Sequence, residues 1–438
     1  MSRPPAPRVL LASRGYIDRM DAGLVSIRGA QEIISMISSR RSVTKLILGH
    51  NELNDDGGIV LFKFLSSAIG RTYLIAEISL NSNAMGNRTL AAISEYIRGN
   101  KALRELFLQN NYFTGDPDTW RSFTAALNAS RIELLSLTTN NNLSDGFLQA
   151  FLPLLDSPHL REAHLSAIGL TAQSAPTLIE YISSPRCRLH TLKCNGNALG
   201  FRCVKSILRA IERHNFSLLT VEMYSNNLAA PSSSDNTSED DDDDDTGGPA
   251  SIDAWKASEA LLRRLMLRNA HLKRQTEKEA LCLLRYARPL LLFSSRSSVR
   301  CIDCSCIEVS TSGAPQVAPT APERSPFRAL PTELQLYIMS FLAPTLSPAQ
   351  RIRIYTYASS HATLPRAGLC LPGRGHAIQS LCVLDPASMP FGMTPGGGGC
   401  AGGKCAGALN SVVCHKEQQR GDWLTVVGCS SYDPCRED

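Results

Sequence analysis

Apolar residues recur through the first half of the chain in one fixed frame, apolar-x-x-apolar-x-apolar-x-x-Asn-x-apolar. The frame is first met at Val43, Leu46, Leu48, Asn51 and Leu53. It returns at Ile75, Ile78, Leu80, Asn83 and Met85, and again at Leu103, Leu106, Leu108, Asn111 and Phe113. A fourth copy, Ile132, Leu135, Leu137, Asn140 and Leu143, carries one extra residue after its Asn. The fifth, Leu160, Ala163, Leu165, Ile168 and Leu170, has Ile where Asn is expected. Leu189, Leu192, Cys194, Asn197, Leu199 and then Leu218, Val221, Met223, Asn226, Leu228 complete seven copies. Successive Asn positions are 32, 28, 29, 28, 29 and 29 residues apart. Alternation with period two predicts a short strand with one side chain in two pointing inward. The Asn amide is suited to the turn backbone that no neighbouring strand reaches. Helical spacing follows each strand, as in Ile59, Leu61, Phe64, Leu65 and Ile69, in Leu90, Ile93 and Ile97, and in Val204, Ile207, Leu208 and Ile211. One strand and one helix cannot bury both their apolar faces alone, so neighbours must stack.

These motifs resemble the ribonuclease-inhibitor-like class of leucine-rich repeat proteins. The resemblance implies an α/β horseshoe solenoid over residues 43–229, with parallel inner strands and outer helices, and an N-terminal cap over 1–42 containing a helix from Gln31 to Ser38. It also implies that partners bind on the concave sheet, through side chains pointing away from the Leu core. Those positions are Lys45, Ile47, Glu77, Ser79, Glu105, Phe107, Gln109, Leu134, Ser136, Glu162, His164, Lys193, Asn195, Glu222 and Tyr224. Mixed charge with exposed aromatics suits a protein partner better than a phosphate backbone. Phe107 and Tyr224 are the first hot-spot candidates, although Phe107 covering an adjacent strand is an equal reading. His164 has no acidic and nucleophilic set beside it in sequence, so a surface or hydrogen-bond-satisfied histidine is expected rather than a catalytic one.

Composition narrows the function classes. A hydrophobic fraction of 43% in 438 residues supplies a sizeable core. The greasiest run, Ala280 to Phe293, is broken by Arg285 and Arg288, so no membrane span is expected. The first fourteen residues hold three prolines and no apolar signal core, which points to a reducing compartment, cytoplasmic or nuclear. The Asn-x-Ser/Thr sites at Asn87, Asn128, Asn142, Asn215 and Asn236 then read as chance. The net charge of +5 hides an acidic block, Glu239 with Asp240 to Asp245. Residues 43–229 carry seventeen Lys or Arg against fifteen Asp or Glu, which argues against specific nucleic-acid binding by the repeats. Residues 230–251 are expected to be an acidic disordered linker, being rich in Ser, Pro, Gly and Asp. Residues 252–293 carry Trp255, Leu261, Leu262, Leu265, Leu272, Leu281, Leu284 and Leu291 at helical spacing, predicting one long or two short basic amphipathic helices. Repeats followed by an acidic segment also resemble the layout of Ran GTPase-activating proteins, which makes GTPase regulation the alternative function.

After a further linker over 294–326, the run from Phe327 to Pro344 resembles the start of an F-box, over a motif spanning 327–365. Leu330 and Pro331 open a helix, and Leu334, Ile338, Phe341 and Leu342 form its apolar stripe up to Pro344. In F-box proteins such a stripe docks on the Skp adaptor of a cullin ubiquitin ligase. The layout as a whole is similar to fungal ribonuclease-inhibitor-like proteins. Residues 366–438 are rich in Gly and Cys. Cys400, Cys405, Cys414 or His415, and Cys429 have the donor types for a structural zinc; free thiols are the other reading, and no further cofactor is expected. No phosphate loop, paired acidic motif or hydrolase signature is present, so the expectation is a non-enzymatic protein-binding scaffold, read as a ubiquitin-ligase substrate receptor.

Overall fold

A computed structural model describes residues 15–226, 252–294, 326–363 and 412–434. The chain divides into two compact units, Met1–Ala270 and His271–Asp438.

The first unit is α/β. Eight short strands, β1 (Tyr16–Asp18), β2 (Lys45–Ile47), β3 (Glu77–Ser79), β4 (Glu105–Phe107), β5 (Leu134–Ser136), β6 (Glu162–His164), β7 (Thr191–Lys193) and β8 (Thr220–Glu222), form one parallel sheet in sequential order. Helices alternate with them: α1 (Ser26–Ser38), α2 (Asn54–Ser66), α3 (Asn87–Ile97), α4 (Pro117–Asn128), α5 (Ser144–Phe151), α6 (Ala175–Ser183) and α7 (Phe201–His214). The register aligns Ile17, Leu46, Ile78, Leu106, Leu135, Ala163, Leu192 and Val221 in one buried row. Leu48, Leu80 and Leu108 are buried directly beyond that row, as the frame requires. The strand β1 and helix α1 fall within the stretch expected to be only a cap. They form an eighth strand-helix unit, hidden in sequence because Ala22 stands in the Asn position.

The Asn side chains run as a ladder between units. Asn111 donates to the carbonyls of Leu80, Leu108 and Gln109 and accepts from the backbone N–H groups of Asn83 and Met85. Asn51, Asn140 and Asn197 repeat the arrangement. Ile168 interrupts it, because an alkyl side chain offers neither donor nor acceptor. Immediately before each rung the backbone is left-handed, at Asp21, His50, Ser82, Asn110, Thr139, Ala167, Gly196 and Ser225. The column mostly accepts short polar residues, which bear αL better than branched ones.

The apolar stripe of α2 differs from the one expected. Leu61, Phe62 and Leu65 are buried, whereas Phe64 is half-buried and Ile69 lies beyond the helix, exposed. Gly57 and Gly58 explain the rotation. A Cβ at Gly57 would meet the Ser26 carbonyl at 2.5 Å, and one at Gly58 would meet Thr89 Oγ1 at 2.5 Å, so these glycines let α2 seat against its two neighbours. Phe62 then packs on Tyr96, and Trp120 makes edge contacts with Phe123, Phe147 and Phe151 farther along.

A single helix, α8 (Ile252–Ser294), follows β8. Its part within the first unit runs parallel to α7: Trp255 and Leu262 share a small apolar cavity with Val204 and Leu208, Arg264 reaches Glu212, and Arg268 donates to the carbonyls of Ile211, Glu212 and Asn215. Asn269 adds bonds to the Asn215 and Leu218 carbonyls. This stretch therefore takes the place of the helix belonging to β8. Elsewhere six to ten residues join a strand to its helix, but here residues 223–251 intervene.

The second unit is helical. The remainder of α8, with α9 (Thr332–Ser340), α10 (Pro348–Ser359) and α11 (Val412–Val426), surrounds a core of Ala280, Leu283, Leu284, Ala287, Met339, Leu346, Ile354, Trp423 and Val427. A capping box between Ser347 and Gln350 starts α10, and the Gln350 amide also donates to the Gly428 and Ser431 carbonyls. Glu277 is buried between Lys273 and Arg420, and Glu279 accepts from the Thr345 N–H. Among the described residues, no helix is long and apolar enough to cross a membrane.

Candidate functional site

The open face of the sheet, opposite the helices, carries two side-chain columns set by the register. One reads Tyr16, Lys45, Glu77, Glu105, Leu134, Glu162, Thr191, Thr220; the other reads Asp18, Ile47, Ser79, Phe107, Ser136, His164, Lys193, Glu222. Sequence reasoning named most of both columns but missed Tyr16 and Asp18, because β1 lacks the frame, and passed over Thr191 and Thr220. Tyr16 is exposed and its hydroxyl donates to Asp18 at 2.9 Å.

Two charged groups result. In the first, Lys45 pairs with Glu77, and Glu105 lies beside Glu77 on the next strand. Burial, reinforced by the like charge of Glu77, raises the pKa of Glu105. In the second, Lys193 meets Glu222 at 3.1 Å and the Asn195 amide donates to the same carboxylate at 2.9 Å. Burial alone would raise Glu222, but the bonds from Asn195 and Lys193 outweigh it and hold its pKa below the ordinary value. His164 Nε2 lies 3.5 Å from Glu162 and has no hydrogen-bond partner.

Between the two groups lies Phe107 with its serine neighbours. The register sets Phe107 between Ser79 and Ser136, and both serines are buried rather than presented. Gln109 donates to Ser136 at 2.7 Å, which closes that stretch further. Phe107 is half-buried, whereas Tyr224 is 50% exposed and borders the apolar cavity under α8. Of the two aromatics, Tyr224 offers the more accessible contact.

The second unit bears a different surface. Leu330 is half-buried and Pro331 is the N-cap of α9. The helix ends at Ser340, short of Pro344, so Phe341 is its C-cap and Leu342 lies in the following turn. Only Met339 of α9 is fully buried, with Leu336 packed partly against the core. Leu334, Tyr337, Ile338, Phe341 and Leu342 are all exposed, Phe341 at 66%. Tyr337 and Phe341 meet edge to face at 5.1 Å between ring centres. The apolar stripe read from sequence thus faces away from the core of its unit.

Of the candidate zinc ligands, Cys400 and Cys405 lie outside the described residues, and the side chains of Cys414 and His415 do too. Cys429 is buried in the second core, where burial pushes its thiol up to about 12. Among the described residues, no group of three or more His, Cys, Asp or Glu is placed to hold a metal ion. Compared with known proteins, the chain matches no family model and no curated sequence.

Proposed function

We propose that the chain is an intracellular, non-enzymatic interaction scaffold, built on a leucine-rich repeat solenoid of the ribonuclease-inhibitor-like class. Its concave sheet selects one protein, and the exposed face of α9 docks a second, the Skp-type adaptor of a cullin ligase. The observation that carries this reading is α9 itself. Five large apolar side chains on and just after one short helix face water, although a single domain gains by burying such groups and rarely leaves so contiguous a patch open. The ordered charge groups on the sheet support the other half of the reading. Glu77, Glu105, Lys193 and Glu222 occupy fixed positions on parallel strands, a rigid array that discriminates partners by charge.

The test is co-precipitation of the full chain with a purified Skp-type adaptor. Phe341→Ala and Ile338→Glu, both at exposed positions, are expected to weaken capture by about thirtyfold, the loss associated with a hot spot of about 2 kcal/mol. Capture unaffected by both substitutions, or no capture by the native chain, would remove the adaptor reading. Stimulated GTP hydrolysis by a Ran-type protein would replace it with the regulatory alternative.

A further inference from the structure

Charge is sorted between the two rims of the repeat array. The turns that lead from a helix to the next strand, 39–44, 67–76, 98–104, 129–133, 152–161, 184–190 and 215–219, carry ten Lys or Arg against two Asp or Glu. Those on the opposite rim, 19–25, 48–53, 80–86, 108–116, 137–143, 165–174 and 194–200, carry one against three. Acids at that second rim serve the fold. Asp116 caps α4 and accepts from Thr119, while Asp55 and Asp145, in the first turns of α2 and α5, accept backbone N–H groups of Gly86, Thr89 and Thr171. Cations at the first rim are not used in that way. Arg41, Arg98 and Lys101 are exposed, and among the described residues their side chains have no hydrogen bond or ion pair. The helix dipole favours a cation only within about the last turn, which accounts for Arg98 as the C-cap of α3 but not for Arg41 or Lys101, two and three residues past a cap.

We infer that the first three of these turns form a docking surface for an acidic protein segment that carries apolar side chains. They hold six cations and no acid, and Glu95 in the last turn of α3 and Glu133, which pairs with Arg104, offset only two. The turns lead into adjacent strands, about 4.8 Å apart, so their fields add within a screening length of about 8 Å at physiological salt. The middle turn supplies the apolar part. Its ten residues fall in the longest repeat, the 32 residues from Asn51 to Asn83, and it leaves Ile69 and Leu74 exposed, at 66% and 55%. By strand order this turn lies between the one bearing Arg41 and the one bearing Arg98 and Lys101. An apolar centre bordered by charge is the anatomy of a protein interface, and an acidic partner is the one that complements this border. A polynucleotide would need aromatic platforms for its bases, whereas Tyr73, the single aromatic residue of the three turns, is half-buried. This surface is separate from the sheet face and from α9, so it stands or falls independently of the reading above.

The probe is a fluorescein-labelled peptide of about fifteen residues repeating Glu-Glu-Leu, read by anisotropy against the full-length chain in about 0.1 M NaCl. Two triple variants are compared with the native chain. One carries Arg41→Gln, Arg98→Gln and Lys101→Gln; the other carries Arg28→Gln, Lys63→Gln and Arg209→Gln, exposed on α1, α2 and α7, and so removes the same charge elsewhere. The rim triple is expected to weaken binding by about tenfold, and the helix triple by less than about twofold. Leu74→Ser is expected to weaken it by about threefold. Far-UV circular dichroism that superimposes on the native spectrum shows that a loss does not come from unfolding. No binding by the native chain, or equal losses in the two triples, overturns the inference. A peptide repeating Glu-Glu-Ser that binds as tightly as the Leu form overturns it too, because the apolar centre would then contribute nothing. A single-stranded oligonucleotide of about twenty thymidines that binds more tightly than the peptide, and is lost in the rim triple, would assign the surface to nucleic acid instead.

Discussion

Two rungs of the Asn ladder, one unit apart, should respond very differently to the same substitution. Among the described residues, the Asn111 side chain is the sole hydrogen-bond partner of three backbone groups: the Leu80 carbonyl and the N–H groups of Asn83 and Met85. Asn111→Ala strands all three in a position only 5% exposed. At about 1 to 1.5 kcal/mol for each orphaned group, the cost is about 3 to 5 kcal/mol. Asn83 donates to the carbonyls of Leu48 and Asn81, but those keep other donors, Asn51 and the His50 N–H, and its own Oδ1 has no partner. Asn83→Ala therefore strands nothing and removes one buried orphan, for a cost of about 1 kcal/mol. Urea unfolding of the full chain, followed by far-UV circular dichroism, measures both midpoints and slopes. Variants that lie within about 0.5 kcal/mol of each other would refute the reasoning, because the difference comes entirely from which groups lose their only partner.

Other outcomes follow from the same structure. Thr139 is exposed and left-handed at φ 64°, so Thr139→Gly should stabilise by about 0.5 to 1 kcal/mol once the greater freedom of glycine in the unfolded chain is subtracted. Gly196 has room for a methyl group but φ 66°, so Gly196→Ala should cost about 1 kcal/mol in the same urea assay. The raised pKa of Glu105 means that the folded state holds its proton more tightly than the unfolded state. Stability is therefore lost as pH rises through the unfolded value of about 4.3 toward the higher folded one. Glu105→Gln should accordingly stabilise near neutral pH and have little effect below about pH 4, which paired thermal melts would check. Burial pushes the thiols of Cys187 and Cys194 up to about 11 and about 12, so iodoacetamide at pH 8 should spare both in the native chain and label them after denaturation, as peptide mass spectrometry would record.

The strand-helix alternation was legible because a buried strand position tolerates little but Leu, Ile, Val or their near equivalents, and because Asn111 and its counterparts repeat at one offset. Tyr16 to Asp18 escaped notice for the converse reason: Ala22 cannot form a rung, and Asn51 supplies the missing acceptor from the next unit. Which residues of α2 turn inward was not readable either. Gly57 and Gly58 set the helix rotation through backbone approach, and hydrophobicity carries no trace of that. On the open face, the columns followed from alternation alone, but the burial of Ser79 and Ser136 depends on what stands beside them across strands. For α9, sequence marked Leu334, Ile338 and Phe341 as apolar and only the packing of Met339 disclosed that they point outward.

The 29 residues between β8 and α8 also bear on the order in which the first unit assembles. Every other strand finds its helix after a connection of six to ten residues, so nucleation anywhere in the array can propagate through short closures. Two doublings of that length raise the entropic cost of closure by about 1.2 kcal/mol. The terminal helix should thus be the last to seat during folding and the first to release under stress, a fraying point at one end of an otherwise evenly zippered stack.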